Sequence, residues 1–213
     1  MTMPREPAVA GVLLAGGLSR RMGGGDKALR TLGGETILAR VIARARPQVG
    51  ALALNANGDP ARFAAYGLPV VADVVGGFAG PLAGVLTGLE WARREAPECP
   101  WVASFATDAP FVPGDLIERL LRAVERDGAD MACAASAGRH HPVFGLWPVR
   151  LAGNLRRALA DEGVRKVDAW TARYRLAVAE FACEPTDPFF NVNRRGDLAE
   201  AEAMLARVDG AAA

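Results

Sequence analysis

The sequence predicts a three-layer α/β fold built on a mostly parallel sheet, and three observations lead to that prediction. Short apolar runs of strand length alternate with helical patterns along the whole chain. The composition, 51% hydrophobic and 23% charged, is that of an ordinary globular protein. The length of 213 residues suits one domain, so we treat residues 1–213 as a single domain.

The first predicted elements are a strand, a glycine-rich segment, a helix and a second strand. The strand Val9–Leu14 is uniformly apolar, and glycines are concentrated in the following residues, 16–25. A helix is predicted over Thr36–Arg46, where apolar side chains form one helical stripe that stops at Pro47. The second strand, Val49–Leu54, follows directly.

The middle of the chain continues the alternation. A short helix is predicted near Pro60–Ala65, and a brief strand at Pro69–Val71. After a glycine-containing loop, Pro81 occupies the first position of a helix that continues to about Arg94, a position that proline favours. A fourth strand, Trp101–Ala106, completes this half.

The second half adds strands and helices in the same manner. Pro113 is predicted to open a helix that continues to about Arg126. Strands at Met131–Ala135 and Val143–Trp147 are predicted on either side of a polar turn that contains His140 and His141. The remaining predicted elements are the helices Leu151–Ala160 and Val164–Trp170, the strand Leu176–Phe181 and the helix Leu198–Val208.

Polar residues follow the ends of the predicted strands. Asn55, Asp73 and Asp108 each come just after a strand, and the first strand ends in Ala15-Gly16-Gly17. Ligands bind outside the carboxyl ends of the strands in open α/β sheets. These residues are therefore expected to converge on one ligand site.

Charge and composition exclude several classes of protein. The 25 basic residues nearly balance the 24 acidic ones, so no basic excess for binding nucleic acid is present. The longest apolar run, Ala8–Ala15, is far shorter than the roughly 20 residues that span a bilayer. The scattered Cys99, Cys133 and Cys183 fit a reducing compartment, so a cytoplasmic protein is expected.

The glycine-rich segment has the composition of a phosphate-binding loop. Glycines allow backbone N–H groups to approach phosphate oxygens, and Arg20, Arg21 and Lys27 add positive charge. All but two of the basic residues are arginine, and Lys27 is one of the exceptions. The segment fits neither the Walker A motif nor the dinucleotide-binding motif, because Lys27 precedes Ala28 and the glycine spacing differs.

The segment Leu14-Ala15-Gly16-Gly17-Leu18-Ser19-Arg20-Arg21-Met22-Gly23, continued through Asp26-Lys27, resembles the signature of nucleotidyltransferases with a Rossmann-like fold. Among these, the chain is similar to the molybdenum cofactor guanylyltransferases, the MobA family. The resemblance continues in order down the chain, at Asn55-Ala56-Asn57, Asp73, Gly80-Pro81-Leu82-Ala83-Gly84, Thr107-Asp108-Ala109-Pro110, His141-Pro142 and Asn191-Val192-Asn193.

The resemblance implies a reaction and its participants. GMP would be transferred from GTP to the molybdenum-molybdopterin cofactor, forming molybdopterin guanine dinucleotide and releasing pyrophosphate, with Mg²⁺ as the cofactor. Partners would include other proteins of cofactor biosynthesis and the recipient molybdoenzymes or their chaperones. The N-terminal half would bind the nucleotide and the C-terminal half the acceptor.

The resemblance also implies roles for individual residues. Lys27 would lie against the triphosphate, Asp108 would bind the Mg²⁺ that bridges the phosphates, and Arg21 would neutralise charge near the α-phosphate. The nucleotide-binding set would be Leu14, Ala15, Gly16, Gly17, Lys27, Asn55, Asp73 and Asp108. The acceptor-binding set would be Gly80, Gly84, Arg165, Asn191 and Asn193.

Other interpretations stay open at this point. Asn55 and Asp73 could simply cap turns, and Asp108 could cap a helix. His140 and His141 could contact the acceptor rather than only form the turn before Pro142. The same fold could transfer a cytidylyl group to the same pterin or a nucleotidyl group to a sugar phosphate. A nucleotide-binding scaffold without turnover is a third possibility, although Lys27 and Asp108 together favour catalysis over binding alone.

Overall fold

The computed structural model describes residues 9–15, 26–76 and 80–211. Their strands are β1 (Val9–Leu14), β2 (Thr31–Leu32), β3 (Glu35–Thr36), β4 (Ala51–Asn55), β5 (Val70–Val71), β6 (Trp101–Ala106), β7 (Met131–Ser136), β8 (Arg139–Pro148) and β9 (Leu176–Phe181). Seven of these strands form one sheet in the order β5-β4-β1-β6-β8-β7-β9, and β2 pairs with β3 in a separate hairpin.

Helices of two kinds connect the strands. The α-helices are α1 (Ile37–Ala45), α2 (Pro81–Glu95), α3 (Leu116–Asp127), α4 (Ala152–Ala160), α5 (Val167–Thr171) and α6 (Arg195–Ala211). Short 3-10 helices are Lys27–Leu29, Arg46–Gln48, Pro60–Tyr66 and Val149–Leu151. Among the described residues, none of the helices has the length and apolar character needed to cross a membrane.

The sheet is mostly parallel, as predicted. Strands β5, β4, β1 and β6 pair in parallel, and so do β7 and β9. Strand β8 is inserted antiparallel between β6 and β7. As a result, the first residues of β8 lie at the same edge of the sheet as the carboxyl ends of its neighbours.

Two apolar layers cover the sheet, one on each face. In β1, Val9 and Leu13 pack into the core that contains the buried faces of α1, α3 and α6. The alternate residues Ala10 and Val12 pack into the opposite core with α2, α4 and α5. Because successive side chains of a strand point to opposite faces, this alternation confirms the predicted three layers.

Several predicted elements agree with the structure and two helices begin later than predicted. Strands β1, β6 and β9 have the predicted bounds. Helix α3 begins at Leu116 rather than at Pro113, and Gln48 Oε1 accepts a hydrogen bond from Ile117 N at 3.1 Å. A side chain distant in sequence therefore satisfies a backbone donor in its first turn. Helix α5 begins at Val167 rather than at Val164.

The predicted turn around His140 and His141 is wrong. Both residues lie in β8, where they pair with Ala135 and Ala134 of β7. The connection is tighter than predicted, because Ala137 (φ 48°) and Gly138 (φ 72°) both adopt the left-handed conformation that a two-residue hairpin turn requires. The polar character of the histidines reflects their position beside a cavity instead.

Candidate active site

A cavity of about 510 Å³ lies over the edge of the sheet where β1, β4 and β6 end and β8 begins. Most of the predicted site residues line it. Those that do are Leu14, Ala15, Lys27, Asn55, Asp73, Gly80, Gly84, Asp108, Asn191 and Asn193. Of the other predicted residues, Gly16, Gly17 and Arg21 lie outside the described residues, and Arg165 is outside the cavity lining.

One end of the cavity is formed by a network of amide and carboxylate groups. Asn55 Nδ2 donates to Asp73 Oδ1 at 2.9 Å, and Asn57 Nδ2 donates to Asp73 Oδ2 at 2.8 Å. Asp73 N donates in turn to Asn57 Oδ1 at 2.9 Å. Asn57 received no role in the sequence analysis, although it belongs to the Asn55-Ala56-Asn57 motif. The network fixes the position of the Asp73 carboxylate.

The end of β1 is tied to its neighbours on both sides. Ala15 N donates to Asn55 O at 2.9 Å, and Thr107 Oγ1 donates to Leu14 O at 3.1 Å. Two backbone polar groups of the predicted nucleotide-binding set are therefore bonded within the protein. A carbonyl oxygen accepts two hydrogen bonds, so Leu14 O retains capacity for a ligand.

Gly84 allows helix α2 to pack closely against this end of the sheet. A Cβ atom at Gly84 would overlap Asn55 Oδ1 and would lie 2.6 Å from Leu14 Cδ2. Gly80 precedes the helix with φ 72°, a conformation that favours glycine. Both glycines therefore have clear structural roles in the cavity wall.

Lys27 and Asp108 approach the cavity from different parts of the chain. Lys27 Nζ donates to Asn193 Oδ1 at 2.9 Å, and Asp108 O accepts from Val192 N at 2.8 Å. Burial raises the pKa of the Asp108 carboxyl, and the positive charge of Lys27 partly opposes that rise. The segment that contains Asn193 is thus attached to both residues.

The carboxylates at the cavity differ in how many hydrogen bonds and ion pairs their oxygens already form with the protein. Asp26 forms an ion pair with Arg62 at 3.6 Å, and both oxygens of Asp73 accept hydrogen bonds from asparagine amides. The Asp108 carboxyl accepts a hydrogen bond from its own backbone but has no side-chain hydrogen-bond partner among the residues that the structure describes. Its oxygens are the ones best placed to accept a cation.

The fit of this site to a magnesium ion follows from its donors. Mg²⁺ binds proteins through one or two carboxylates and completes its shell with phosphate oxygens and water. Within residues 9–15, 26–76 and 80–211, no group of three or more His, Cys, Asp or Glu side chains forms a metal cage. A lone carboxylate such as Asp108 suits an ion that is shared with a phosphorylated substrate.

The opposite wall of the cavity contains His141, for which an acceptor contact was the alternative to a turn, and two residues for which the sequence indicates no role. His141 lines it, and its Nε2 atom lies 2.7 Å from Ser136 Oγ. Ser136 Oγ also donates to Asp187 Oδ1 at 3.0 Å. The His141-Pro142 motif was the only signal in the sequence, because Ser136 and Asp187 come from distant segments. Burial lowers the pKa of His141.

Asn191 and Arg165, both predicted to face the acceptor, differ in their surroundings. Asn191 Oδ1 is buried and has no hydrogen-bond partner among the described residues. Arg165 Nη1 instead donates to Leu159 O at 2.8 Å and to Val164 O at 2.9 Å. The guanidinium of Arg165 therefore binds backbone carbonyls near the end of α4, and only its backbone carbonyl lies near Gly80.

The family model and the relatives that match this chain point to the same protein family. A family model described as the MobA-like NTP transferase domain matches residues 11–176. The chain is 56% identical over 207 residues to the molybdenum cofactor guanylyltransferase of Rhodopseudomonas palustris (strain BisB5), covering 97% of this chain and 99% of that protein. It is 56% identical over 209 residues to that of Bradyrhizobium sp. (strain ORS 278), covering 98% and 99%.

A solved structure agrees with the fold. Molybdopterin-guanine dinucleotide biosynthesis protein A from Archaeoglobus fulgidus superposes with a TM-score of 0.70 and 23% identity. The superposition covers 93% of this chain and 99% of that chain. At this level of identity the comparison concerns the fold alone, and it confirms the predicted nucleotidyltransferase architecture.

Proposed function

Because the chain belongs to the family of MobA-like NTP transferase domains, we propose that it is the molybdenum cofactor guanylyltransferase of its organism. It transfers GMP from GTP to the molybdenum-molybdopterin cofactor, yields molybdopterin guanine dinucleotide and releases pyrophosphate. The chain is a nucleotidyltransferase, as its curated relatives are by name. The substrates follow from those names and from the chemistry of the cavity.

The observation that carries the proposal is the presence of Lys27 and Asp108 at one cavity, next to the Asn55–Asp73 network. A triphosphate needs a cation and a metal-binding carboxylate, whereas a nucleoside needs polar groups of fixed geometry. Both requirements are met within one cavity of about 510 Å³. A binding scaffold would have no need for a partly buried carboxylate such as Asp108, which has no side-chain hydrogen-bond partner within the described part of the chain.

The reaction joins two anions, so its main obstacle is electrostatic repulsion. A phosphate oxygen of the acceptor attacks the α-phosphorus of GTP; the new P–O bond forms as the bond to the bridging oxygen of the β-phosphate breaks. Pyrophosphate leaves with the electron pair. Lys27 lowers the repulsion between the two substrates, and the fixed network around Asp73 orients the nucleoside. Arg21 stays a predicted contributor near the α-phosphate.

Asp108 is the proposed ligand of Mg²⁺. When bound, the ion supplies charge neutralisation and alignment of phosphate oxygens. Burial around Asp108 disfavours its negative charge, so the carboxylate gains from a cation beside it. Lys27 contributes one such charge, and the metal would contribute the other.

The acceptor is proposed to occupy the side of the cavity lined by Gly80, Asn191 and Asn193. Asn193 receives a hydrogen bond from Lys27, which brings the acceptor side within reach of the triphosphate side. Arg165 stays in the proposed acceptor set only through its backbone. The division into a nucleotide-binding half and an acceptor-binding half, the partner proteins and the cytoplasmic site of action stay predictions from the sequence.

Isothermal titration with Mg-GTP and Mg-CTP tests the proposal, with wild type beside Asp108→Ala. We expect selective binding of GTP, weakened at least tenfold by the substitution, because a carboxylate that holds the metal is lost. Asp161→Ala, an exposed carboxylate at the end of α4, is the matched control and should bind as wild type does.

Each other outcome has a definite meaning. Equal or tighter binding of Mg-CTP would assign cytidylyl transfer to the same pterin instead. Release of pyrophosphate from GTP in the presence of a sugar phosphate, but not of molybdopterin, would assign the sugar-phosphate activity. If the protein bound neither nucleotide, the assignment of nucleotidyltransferase activity would be rejected.

A further inference from the structure

Three polar side chains from three segments meet in the wall of the cavity and have no part in the chemistry proposed above. Ser136 ends β7, His141 lies in β8, and Asp187 lies between β9 and α6. Ser136 Oγ is 2.7 Å from His141 Nε2 and 3.0 Å from Asp187 Oδ1. Ser136 and His141 are 1% and 8% exposed, so the chain of hydrogen bonds is shielded from water.

The direction of these hydrogen bonds determines the tautomer of His141. A carboxylate only accepts hydrogen bonds, and a serine hydroxyl has one proton to donate. Ser136 gives that proton to Asp187, so its oxygen must accept from the Nε2–H group of His141. In a neutral imidazole the second nitrogen, Nδ1, is then the one with the free lone pair.

Aromatic packing holds the His141 ring in place. Its centroid lies 4.7 Å from that of Phe189, which packs in turn against Phe144 at 4.9 Å. Phe189 N donates to Asp187 Oδ1 at 3.0 Å, which links the aromatic cluster to the hydrogen-bond chain. A ring held on one edge and one face is oriented before any ligand binds.

Two hydrogen-bond acceptors of the cavity lining, His141 Nδ1 and Asn191 Oδ1, have no donor among the described residues. Among the described residues, His141 has no side-chain hydrogen bond other than the one to Ser136. Asn191 Oδ1, also in the cavity lining, is buried and unpartnered within the same described ranges. Phosphate oxygens are acceptors themselves: they match the Arg139 guanidinium, which also lines the cavity, but they do not match these two atoms. A ring system with N–H and NH₂ groups does.

We propose that His141 Nδ1 accepts a hydrogen bond from an N–H group of the pterin ring. Through this bond His141 determines the specificity for the second substrate. The inference rests on the proposed function, because it takes the second substrate to be molybdopterin. It places the ring of the pterin, rather than its phosphate, beside His141 and Asn191. Ser136 and Asp187 act as positioning residues that keep the lone pair on Nδ1.

The charge state of His141 gives the inference a pH signature. Burial lowers its pKa, and so do the positive charges of Arg139 and His140; Asp187 and Glu180 act in the opposite direction. The net effect keeps the ring neutral at pH 7. As the pH falls through this lowered pKa, Nδ1 becomes protonated and stops accepting, so binding of the pterin weakens.

Two isosteric variants separate the two ring nitrogens. His141→Gln puts an amide NH₂ near the position of Nε2, which retains a donor for Ser136, but it has no acceptor at the position of Nδ1. His141→Asn puts an amide oxygen near Nδ1 and gives up the bond to Ser136. His140→Gln removes the neighbouring imidazole, which is exposed, and serves as the matched control.

The measurement is the KM for molybdopterin in pyrophosphate release, between about pH 5.5 and pH 8, the range in which histidine titrates. We expect roughly a tenfold higher KM at pH 7 for His141→Gln, since a donor of the pterin loses its partner. His141→Asn should recover part of this loss and lack the additional rise in KM that wild type shows at acid pH. His140→Gln should retain that rise but show it at a slightly higher pH, because the charge of His140 no longer lowers the pKa of His141.

Other results would overturn the inference. One is a KM of His141→Gln equal to that of wild type at every pH. Another is an equal loss of GTP affinity and melting temperature in both His141 variants, which would indicate a purely structural role. If wild type releases no pyrophosphate, the proposed function fails instead; equilibrium titration of wild type and His141→Gln with molybdopterin then decides the inference, and equal affinities would reject it.

Discussion

At the scale of single residues, Lys27 provides the sharpest test of the electrostatic mechanism. Its Nζ atom reaches Asn193 Oδ1 at 2.9 Å, and its charge acts on the half-buried Asp108. We expect Lys27→Ala to lower kcat/KM for GTP by about 10²–10³-fold, the loss typical when one group that stabilises developing charge is removed. Initial rates of pyrophosphate release measure the effect.

The only other lysine of the chain supplies the control for this prediction. Lys166 is exposed at the start of α5, and its side chain makes no capping hydrogen bond there. Lys166→Ala should retain the wild-type rate. A similar loss of activity in both variants would mean that net charge matters rather than a positioned ammonium group.

At Gly84, close packing and ligand binding depend on the same missing side chain. A Cβ there would overlap Asn55 Oδ1 and press on Leu14. We expect Gly84→Ala to lower the free energy of unfolding by about 1–3 kcal/mol, the usual cost of overpacking, and to weaken GTP binding. Thermal denaturation and titration with Mg-GTP measure the two effects.

Gly153 is the matched glycine, because nothing lies within 4 Å of a Cβ placed on it in α4. Gly153→Ala should stabilise the protein by about 0.5–1 kcal/mol through helix propensity. If Gly84→Ala behaved in the same way, the close approach of α2 to β4 would be refuted.

Site residues that belong to a sequence motif could be predicted. Site residues that are brought together only by folding could not. Lys27, Asn55 and Asp108 follow predicted strands or a glycine-rich segment, and all three line the cavity. Ser136 and Asp187 are 51 residues apart and form a pair only after β7 and the segment following β9 come together. No spacing in the sequence indicates such a contact.

At the scale of elements, Gln48 joins helices α1 and α3. The single glutamine of the chain donates from Nε2 to Arg44 O at 2.8 Å and to Pro113 O at 2.9 Å. Its Oε1 atom accepts from Ile117 N at 3.1 Å, where the nominal N-cap, Asp115, makes no side-chain capping bond. The side chain thus replaces a local cap with a tertiary one.

We expect Gln48→Ala to lower the free energy of unfolding by about 1–3 kcal/mol, since three backbone groups lose a partner at once. Urea denaturation measures the loss. Arg122→Ala, which removes an exposed ion pair with Glu118 on α3, should change stability by less than about 0.5 kcal/mol. Equal effects of the two substitutions would argue against the capping role.

Elements with strong apolar patterns were predicted well, and those defined by pairing were not. Strands β1, β6 and β9 are apolar enough to be recognised by their own residues. Strands β2 and β3 have two residues each, too few for any periodicity, and exist through pairing with one another. The start of β8 contains two histidines and an arginine, which resemble a loop until the cavity beside them is known.

At the scale of the whole molecule, the arrangement of strand ends explains why the site could be foreseen at all. The carboxyl ends of parallel strands lie at one edge of the sheet, so polar residues scattered from Asn55 to Asp108 meet there by topology alone. The antiparallel insertion of β8 was not predictable from composition. It adds a wall built from the beginning of a strand, and that wall contains His141.

The insertion of β8 between β6 and β7 also has a consequence for synthesis on the ribosome. Strand β1 leaves the ribosome early but pairs with β6, roughly ninety residues later, so at 5–20 residues per second it waits several seconds for that partner. Even then one edge of β6 stays open until β8 has been made. A nascent chain interrupted before Pro148 exposes an unpaired apolar edge, so truncated products are expected to aggregate rather than fold.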